Sequence, residues 1–374
     1  MSKKIMIYGW FGENNIGDEL LLKAIIKLIK KTDENSKIIV AGSNPKNIKK
    51  NHSEVDVSIY DFYLSIKQLI KLLFRNPIKF IYNMISSDIL IVPGGGAISD
   101  WNLESTKRMF FMINFFSLMK KKIYLFGMGA GPITNEKNYS YFKKVLAKAS
   151  YITVRDDYSK KELEKIGLSN VYKSKDLVLN MNFNLENNSK DKKEKIGLIL
   201  APVCVNNEKI FNKFVKEITK LIDKLQNQYE VSLIPFQYSY DKILLDKIVE
   251  KTNVNILYDS NNIWSSLDYI KEQDIIIAMR YHSIILGLLN GKKVVPIIYH
   301  PKCNEISNLF EIQQYSSYIG DGTNWKKSNI DSTDLYKKIA KIDNDNFYNN
   351  KVKKITKKIQ KECLELQILK EILK

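Results

Sequence analysis

The sequence predicts an α/β protein with two Rossmann-like lobes that face a cleft. Short apolar runs alternate with longer segments of helical periodicity, which is typical of parallel βαβ units covered by helices on both faces. This alternation occurs twice, on either side of a polar stretch. The chain has 374 residues, which exceeds the roughly 250–300 residues at which a single core tends to divide.

The first lobe is assigned to residues 1–182. It opens with a strand at 5–8, followed by a helix from about 18 to 31. Four further apolar runs are too short for helices and are interpreted as buried strands. They lie at 37–41, 89–92, 123–126 and 151–154.

Residues 183–195 are predicted to be a linker because they are rich in Asn, Lys, Asp and Glu and have little to bury. The second lobe is assigned to residues 196–374. Its predicted strands are 196–200, 230–234, 256–257, 275–278 and 293–298, with helices at about 208–225 and 240–251. A basic amphipathic helix is predicted from about residue 347 to the end of this lobe.

Composition and charge argue for some classes of protein function and against others. The net charge of +18 suggests an anionic partner. The lysines are scattered and no nucleic-acid motif accompanies them, so nucleic-acid binding is not predicted. The three cysteines are far apart and suggest a reducing compartment without disulfides. No secretory signal or spanning segment is recognised, so the sequence predicts a cytoplasmic protein. No metal-binding spacing and no cofactor motif is found.

Arginine is the most informative residue type, since only four of the 59 basic residues are arginines. The planar guanidinium binds a carboxylate or phosphate through two parallel hydrogen bonds, a geometry that an ammonium cannot form. Arg155 and Arg280 follow predicted strands, and Arg280 lies two residues before His282. If the backbone stays extended there, Arg280 and His282 lie on the same side. The alternative for Arg155 is an ion pair that ties down its own loop.

Glycine-rich segments follow three predicted strands of the first lobe. In the first, Asn15, Gly17 and Asp18 open a helix, where free N–H groups suit an anion. Asp18 either caps this helix or forms a wall of the cleft. Gly94, Gly95 and Gly96 follow the strand at 89–92 and are costly in chain entropy unless a tight turn or a ligand requires them.

A similar segment, which includes Gly129 and Gly131, follows the strand at 123–126. His300 and Lys302 follow the strand at 293–298 and line either the same pocket or its rim. His52 lies in a polar segment and is assigned no role.

Together these segments resemble the polysaccharide pyruvyl transferase family. The matching residues occur in the family's order over most of the chain: residues 12–19, 93–96, 127–132 and 154–156, Ser159, Leu163, Asp176, residues 279–282 and residues 299–302. The chain departs from the family pattern at 97–100, at Leu177 and at His300, which leaves the acceptor open.

This resemblance implies a fold similar to GT-B glycosyltransferases. It implies transfer of pyruvate from phosphoenolpyruvate onto two hydroxyls of a sugar in a cell-surface polysaccharide or its lipid-linked precursor, as a cyclic ketal. It assigns donor binding to Arg155, Arg280 and Lys302 and catalysis to His282. The loops with Asn15, Gly17, Asp18, Gly94–Gly96, Gly129 and Gly131 are assigned to the cleft and the acceptor. The oligomeric state is left open, and a homo-oligomer is compatible with the sequence.

Two alternatives for the function remain at this stage, and a nucleic-acid binder ranks below both. The same lobes suit a glycosyltransferase with a nucleotide-sugar donor, or a non-catalytic relative that binds a glycan or an anion. The apolar and basic segment at 62–75 is interpreted as a helix packed on the sheet. Its alternative is an interfacial helix on the inner face of the plasma membrane, where a lipid-linked acceptor is found.

Overall fold

The computed structural model describes residues 2–61, 77–100, 103–183, 193–203, 205, 207–320 and 330–373. The chain forms two compact units, Met1–Met181 with Glu362–Lys374, and Asn182–Lys361. The segment at 62–75 lies outside the described residues, as does most of the expected linker. No helix in the described ranges has the length and apolar character required to cross a membrane.

The first unit is built on a parallel sheet in the order β3-β2-β1-β4-β5-β6-β7. Its strands are β1 (Lys4–Tyr8), β2 (Lys37–Gly42), β3 (Val57–Tyr60), β4 (Ile89–Pro93), β5 (Lys122–Met128), β6 (Tyr151–Val154) and β7 (Val171–Lys173). Its helices up to residue 181 are α1 (Ile16–Thr32), α2 (Pro45–Asn51), α3 (Pro77–Ser86), α4 (Leu103–Leu118), α5 (Tyr139–Leu146) and α6 (Asp157–Lys165). Every residue of β4 is buried, as expected for a central strand covered on both faces.

The second unit repeats this topology in the order β10-β9-β8-β11-β12-β13, again parallel. Its strands are β8 (Lys195–Ile199), β9 (Glu230–Leu233), β10 (Asn255–Ile256), β11 (Ile275–Ala278), β12 (Lys293–Ile298) and β13 (Ser317–Tyr318). Its helices are α7 (Glu208–Leu225), α8 (Tyr238–Val249), α9 (Ser265–Glu272), α10 (Tyr281–Leu289), α11 (Pro301–Leu309), α12 (Ser332–Asp343) and α13 (Tyr348–Gln360).

Both sheets reverse their strand order beside the first strand of the unit, between β1 and β4 and between β8 and β11. Ligands of such sheets bind beyond the carboxyl ends of the strands at this switch point. The two units therefore confirm the predicted class of two Rossmann-like sheets, and each has one place where a site is expected.

The C-terminal segment differs from the prediction in two ways. The single helix expected from about residue 347 is broken at residues 361–363 into α13 and α14 (Leu364–Ile372). Helix α14 belongs to the first unit rather than to the second lobe. There the buried Glu365 accepts hydrogen bonds from the hydroxyls of Thr153 (2.6 Å) and Ser174 (2.8 Å).

Candidate functional site

A pocket of about 250 Å³ lies at the switch point of the first sheet. The carboxyl ends of β1 and β4 and the residues that follow them form most of its wall, together with the first two turns of α1 and α4. Among the sequence-predicted residues, Asp18, Gly94, Gly95 and Gly96 line it. The glycine-rich exit of β4 and the start of α1 therefore belong to one site.

The three glycines after β4 serve two purposes. Gly94 and Gly95 have φ angles of +59° and +77°, which side chains of L residues rarely adopt. A Cβ atom on Gly94 would lie 2.6 Å from Cδ2 of Leu21. Around the corresponding position of Gly95 or Gly96, no heavy atom of the described chain beyond the adjacent residues lies within 4 Å. Gly94 therefore permits close packing on α1, whereas Gly95 and Gly96 leave room for a ligand.

Helix α1 begins two residues earlier than predicted, and Asn15 is its N-cap. The Asn15 side chain accepts a hydrogen bond from the N–H of Gly17 (3.2 Å) and donates one to the Asp18 carboxylate (2.8 Å). Asp18 is thus not the cap that one reading of the sequence proposed. Its carboxylate stands in the first turn and borders the pocket.

Trp10 and Arg108 also belong to this region, and sequence reasoning assigned a role to neither. The Trp10 side chain lines the pocket and is 46% exposed. The Arg108 guanidinium lies 5.8 Å from the ring centroid of Trp10 and is held by Asp61 (3.1 Å) and Glu104 (2.8 Å). The scarcity of arginine and tryptophan in the chain was the one available signal for this pair.

Gly129 and Gly131 pack against side chains of the first unit. A Cβ atom on Gly129 would lie 2.7 Å from Nη2 of Arg155, and one on Gly131 would lie 2.6 Å from Cγ of Glu162. Arg155 itself is 9% exposed, and its guanidinium pairs with Asp176 (3.3 Å) and Asp156 (3.4 Å). Arg155 thus forms ion pairs within the first unit, as its alternative interpretation expected, and its role at the donor stays a prediction.

In the second unit, Arg280 lies at the carboxyl end of β11, beside β8 and so at the switch point. Its Nη2 pairs with Asp241, and its guanidinium carbon lies 5.6 Å from the ring centroid of Tyr240. The buried Nε of Arg280 has no hydrogen-bond partner among the residues that the structure describes. Asp241 thus holds one edge of the fork, and the Nε donor is left unused among the described residues.

Asp241 holds the Arg280 side chain in place. Its carboxylate is completely buried, and Oδ2 accepts hydrogen bonds from the N–H groups of Phe236 (2.9 Å) and Gln237 (2.8 Å). A buried carboxylate with two backbone donors and a guanidinium is satisfied and rigid. The sequence did not identify it, because Asp241 and Arg280 are 39 residues apart.

His282 lies in the first turn of α10, which begins at Tyr281 because Arg280 keeps extended backbone angles. An extended backbone from Arg280 to His282 was the condition for both side chains to lie on one side, and this condition is not met. The half-buried imidazole stands edge-on to Tyr281, with ring centroids 5.1 Å apart. The start of α10, rather than the strand, positions His282 near the positive end of a helix.

The exit of β12 lies next to that of β11. His300 is the N-cap of α11, and its Nδ1 accepts a hydrogen bond from the N–H of Lys302 (3.3 Å). Tyr299 lies close to Arg280: burial raises the pKa of its phenol, the nearby Cys303 raises it further, and Arg280 opposes the shift. Arg280 and Tyr299 are thus brought together in the second unit, whereas Arg155 belongs to the first.

The polar sequence around His52 suggested a surface position, but the His52 side chain is buried. It is 1% exposed, and its Nε2 lies 2.7 Å from the buried carboxylate of Glu19. Glu19 also accepts a hydrogen bond from the N–H of Gly12 (2.7 Å), so the pair stabilises the loop before α1. Within the described ranges, no group of three or more His, Cys, Asp or Glu side chains is arranged to hold a metal ion.

Three solved structures resemble this chain in fold, at identities that support no more than the fold. HepE of Anabaena, solved with UDP and glucose, has a TM-score of 0.60 at 13% identity, with 99% of this chain and 98% of that one covered. MnaA of S. aureus, solved with UDP, has a TM-score of 0.60 at 14% identity, with coverage of 94% and 90%. The UDP-GlcNAc 2-epimerase of Neisseria meningitidis, bound to UDP-GlcNAc, has a TM-score of 0.55 at 12% identity, with coverage of 98% and 99%.

These neighbours confirm the expected GT-B-like fold. No curated protein matches the chain significantly. The sequence pattern of the family described as polysaccharide pyruvyl transferase matches residues 15–301, which include the pocket residue Asp18 and the whole segment from Arg280 to His300. With most of its length matched, the chain belongs to the polysaccharide pyruvyl transferase family.

Proposed function

We propose that this protein transfers pyruvate from phosphoenolpyruvate onto two hydroxyls of a sugar in a cell-surface polysaccharide or its lipid-linked precursor. The product is a cyclic ketal, and phosphate is released. The observation that carries the proposal is the Arg280 fork at the switch point of the second sheet. It supports the donor assignment because phosphoenolpyruvate carries a carboxylate and a phosphate close together, and both suit a guanidinium.

The surroundings of Arg280 support anion binding at this point. The fork is fixed on one side by the buried Asp241, the Arg280 side chain is 15% exposed, and its Nε has no hydrogen-bond partner among the described residues. The N-terminus of α10 follows directly and contributes the positive end of the helix dipole. Lys302, in the first turn of α11, adds a flexible cation. We assign the donor to Arg280 and Lys302.

His282 is proposed as the acid and base of the reaction. Ketal formation adds a proton to the methylene carbon of the donor, and two sugar hydroxyls form bonds to the central carbon. The bond from that carbon to the phosphate oxygen breaks. One hydroxyl proton ends on the new methyl group and the other leaves with phosphate. Imidazole is the side chain best suited to donate and accept protons near neutral pH, which supports this role for His282.

We further propose that the pocket of the first unit takes the sugar. Trp10 offers an exposed aromatic face, Asp18 offers a carboxylate for hydroxyl groups, and Gly95 and Gly96 leave space. Its volume of about 250 Å³ suits a ligand of about one sugar ring. The assignment of Arg155 to the donor rests on family resemblance and stays a prediction.

A second candidate is a glycosyltransferase with a nucleotide-sugar donor. Its support is the fold shared with HepE and MnaA, both of which were solved with UDP. In such an enzyme the same Arg280 fork would bind a diphosphate. The two candidates therefore differ in the ligand rather than in the binding residue.

Thermal-shift titration distinguishes these candidates. Phosphoenolpyruvate should raise the melting temperature more than inorganic phosphate, UDP or GDP does, because ligand binding to the native state stabilises it. Arg280→Ala should abolish the shift. A shift with UDP or GDP alone would favour the nucleotide-sugar enzyme, and a phosphoenolpyruvate shift that survives in Arg280→Ala would remove Arg280 from the donor site.

A further inference from the structure

Helix α3 is apolar on two opposite faces. Phe80 and Met84 are buried in the core of the first unit. Four large apolar side chains on the other face are exposed, and Ile78 is 79% exposed. Their i, i+3, i+4, i+7 spacing forms one stripe along the helix. These residues are Ile78, Ile81, Tyr82 and Ile85.

The turn after α4 extends this stripe. Lys121 donates hydrogen bonds to the carbonyl oxygens of Met84 (3.3 Å) and Ile85, which places the turn beside the end of α3. Leu118 is 81% exposed there, and Met119 is also exposed. We call the six exposed residues the α3 face: Ile78, Ile81, Tyr82, Ile85, Leu118 and Met119. Single exposed apolar residues are common, whereas a contiguous group of this kind marks an interaction surface.

The charges around the α3 face are mostly positive. Lys79 lies on α3, and Lys120 and Lys122 flank Lys121 in the turn, all three exposed. Lys4 places its ammonium 5.7 Å from the ring centroid of Tyr82. The acidic neighbour in this group is Asp88, which accepts a hydrogen bond from the N–H of Lys4 (2.8 Å). The surface thus combines an apolar stripe with a basic rim.

We propose that the α3 face inserts into the surface of an anionic lipid bilayer, with its lysines at the headgroups. Apolar side chains beside lysines are the combination that binds an anionic membrane interface. A second copy of this chain fits less well, because a two-fold contact places the same patch on both sides and would bring lysines against lysines. The net charge of +18 favours an anionic partner as well.

Vesicle flotation at low ionic strength tests this proposal. The wild-type protein should float with vesicles that contain phosphatidylglycerol and much less with phosphatidylcholine alone. Ile81→Asn with Ile85→Asn should weaken binding at least about tenfold, since burial of the exposed half of each Ile side chain contributes about threefold or more. The matched control is Ile243→Asn with Phe347→Asn, two exposed apolar residues of the second unit, which should float like the wild type.

A second double variant and its control test the contribution of the basic rim to vesicle binding. Lys120→Glu with Lys122→Glu should lower binding about fivefold or more per residue, because each lysine near an anionic surface contributes about that factor. Lys353→Glu with Lys354→Glu makes the same change in net charge on exposed residues of α13 and should have a much smaller effect. Thermal unfolding checks that all four variants remain folded.

Three results would overturn the proposal. The first is wild-type protein that stays at the bottom of the gradient with anionic vesicles. The second is Ile81→Asn with Ile85→Asn that floats like the wild type. The third is a dimer in analytical ultracentrifugation that this double variant abolishes, since the α3 face would then bind a second copy. Flotation uses neither phosphoenolpyruvate nor a sugar, so its failure leaves the proposed reaction standing.

Discussion

At the scale of single residues, the two described arginines at strand exits differ in how they are held. Both carboxylates that pair with Arg155, those of Asp156 and Asp176, are buried with it. Arg280 is held by Asp241, and its buried Nε has no hydrogen-bond partner within the described part of the chain. Substitution of Arg155 is therefore expected to affect stability, and substitution of Arg280 is expected to affect ligand binding.

Arg280→Lys should weaken phosphoenolpyruvate binding about tenfold or more while the protein stays folded. The ammonium keeps the charge, but it lacks the rigid planar fork that pairs with Asp241 along one edge and directs parallel N–H donors to a ligand along another. Isothermal titration with phosphoenolpyruvate measures the change. Arg155→Met is the contrasting variant: unpairing the buried Asp176 should destabilise the first unit by about 3 kcal/mol. Unchanged affinity in Arg280→Lys would show that a fork is not required.

His282→Ala should lower turnover by about 10²–10⁴-fold, the usual contribution of general acid–base catalysis. Its affinity for phosphoenolpyruvate should change little, because Arg280 and Lys302 remain. Phosphate release at saturating donor, with a sugar acceptor once one is identified, measures turnover, and titration of the donor gives the affinity. Turnover at the wild-type level would remove His282 from the mechanism.

At the scale of secondary-structure elements, helix starts position most of the candidate groups. Asn15 sets the start of α1 and so the place of Asp18. The extended backbone of Arg280 sets the start of α10, which places His282 in its first turn. His300 does the same for α11 and Lys302. Polar side chains therefore face the carboxyl edge of each sheet, as parallel βαβ units require.

Helices α7 and α12 are joined by Glu217, which gives a pH-dependent prediction. The Glu217 carboxylate accepts hydrogen bonds from Lys220 (2.7 Å) and from the hydroxyl of Ser332 (2.8 Å). These bonds lower its pKa from 4.5 to about 2. A lowered pKa stabilises the folded state in full above pH 4.5, and this contribution is lost as the pH falls towards 2.

Glu217→Gln should therefore reduce the stability of the second unit near neutral pH and flatten its dependence on pH between 4.5 and 2. Urea denaturation of both proteins across this range measures the difference. Parallel pH profiles for the wild type and the variant would contradict the assignment.

At the scale of the whole molecule, the last helix returns to the first unit. Glu365 on α14 is completely buried and binds Thr153 of β6 and Ser174. Thr153 also accepts a hydrogen bond from the N–H of Gly127 (2.7 Å). The Glu365 carboxylate thus stabilises the carboxyl end of β6, the strand that Arg155 directly follows.

Glu365→Ala should destabilise the first unit by about 1–3 kcal/mol, because the buried hydroxyl of Thr153 and the half-buried hydroxyl of Ser174 lose their acceptor. Native-state hydrogen exchange should show faster exchange in β5, β6 and α14, with β8 and β11 unchanged. The variant Glu362→Ala, at the exposed boundary before α14, serves as the control. Equal acceleration in both units would mean that they unfold together and that Glu365 does not act locally.

Local pattern was sufficient to predict many elements and several candidate residues. The apolar runs at 151–154, 275–278 and 293–298 match β6, β11 and β12 as observed, because buried parallel strands are short and apolar throughout. Gly95 and Gly96 were identified because consecutive glycines carry an entropic cost that needs a reason. Arg280 was identified because arginine is rare in this chain.

Tertiary structure decided which of these residues meet, and with what partners. Asp241 reaches Arg280 across 39 residues, and Asp61 reaches Arg108 across 47, and no local spacing encodes such pairs. The amphipathic pattern of α14 showed that it has an apolar face but not which unit covers it, because burial of apolar surface has no directional preference. Periodicity depends on neighbours in sequence, whereas a site depends on strand order, and strand order is set by contacts between distant segments.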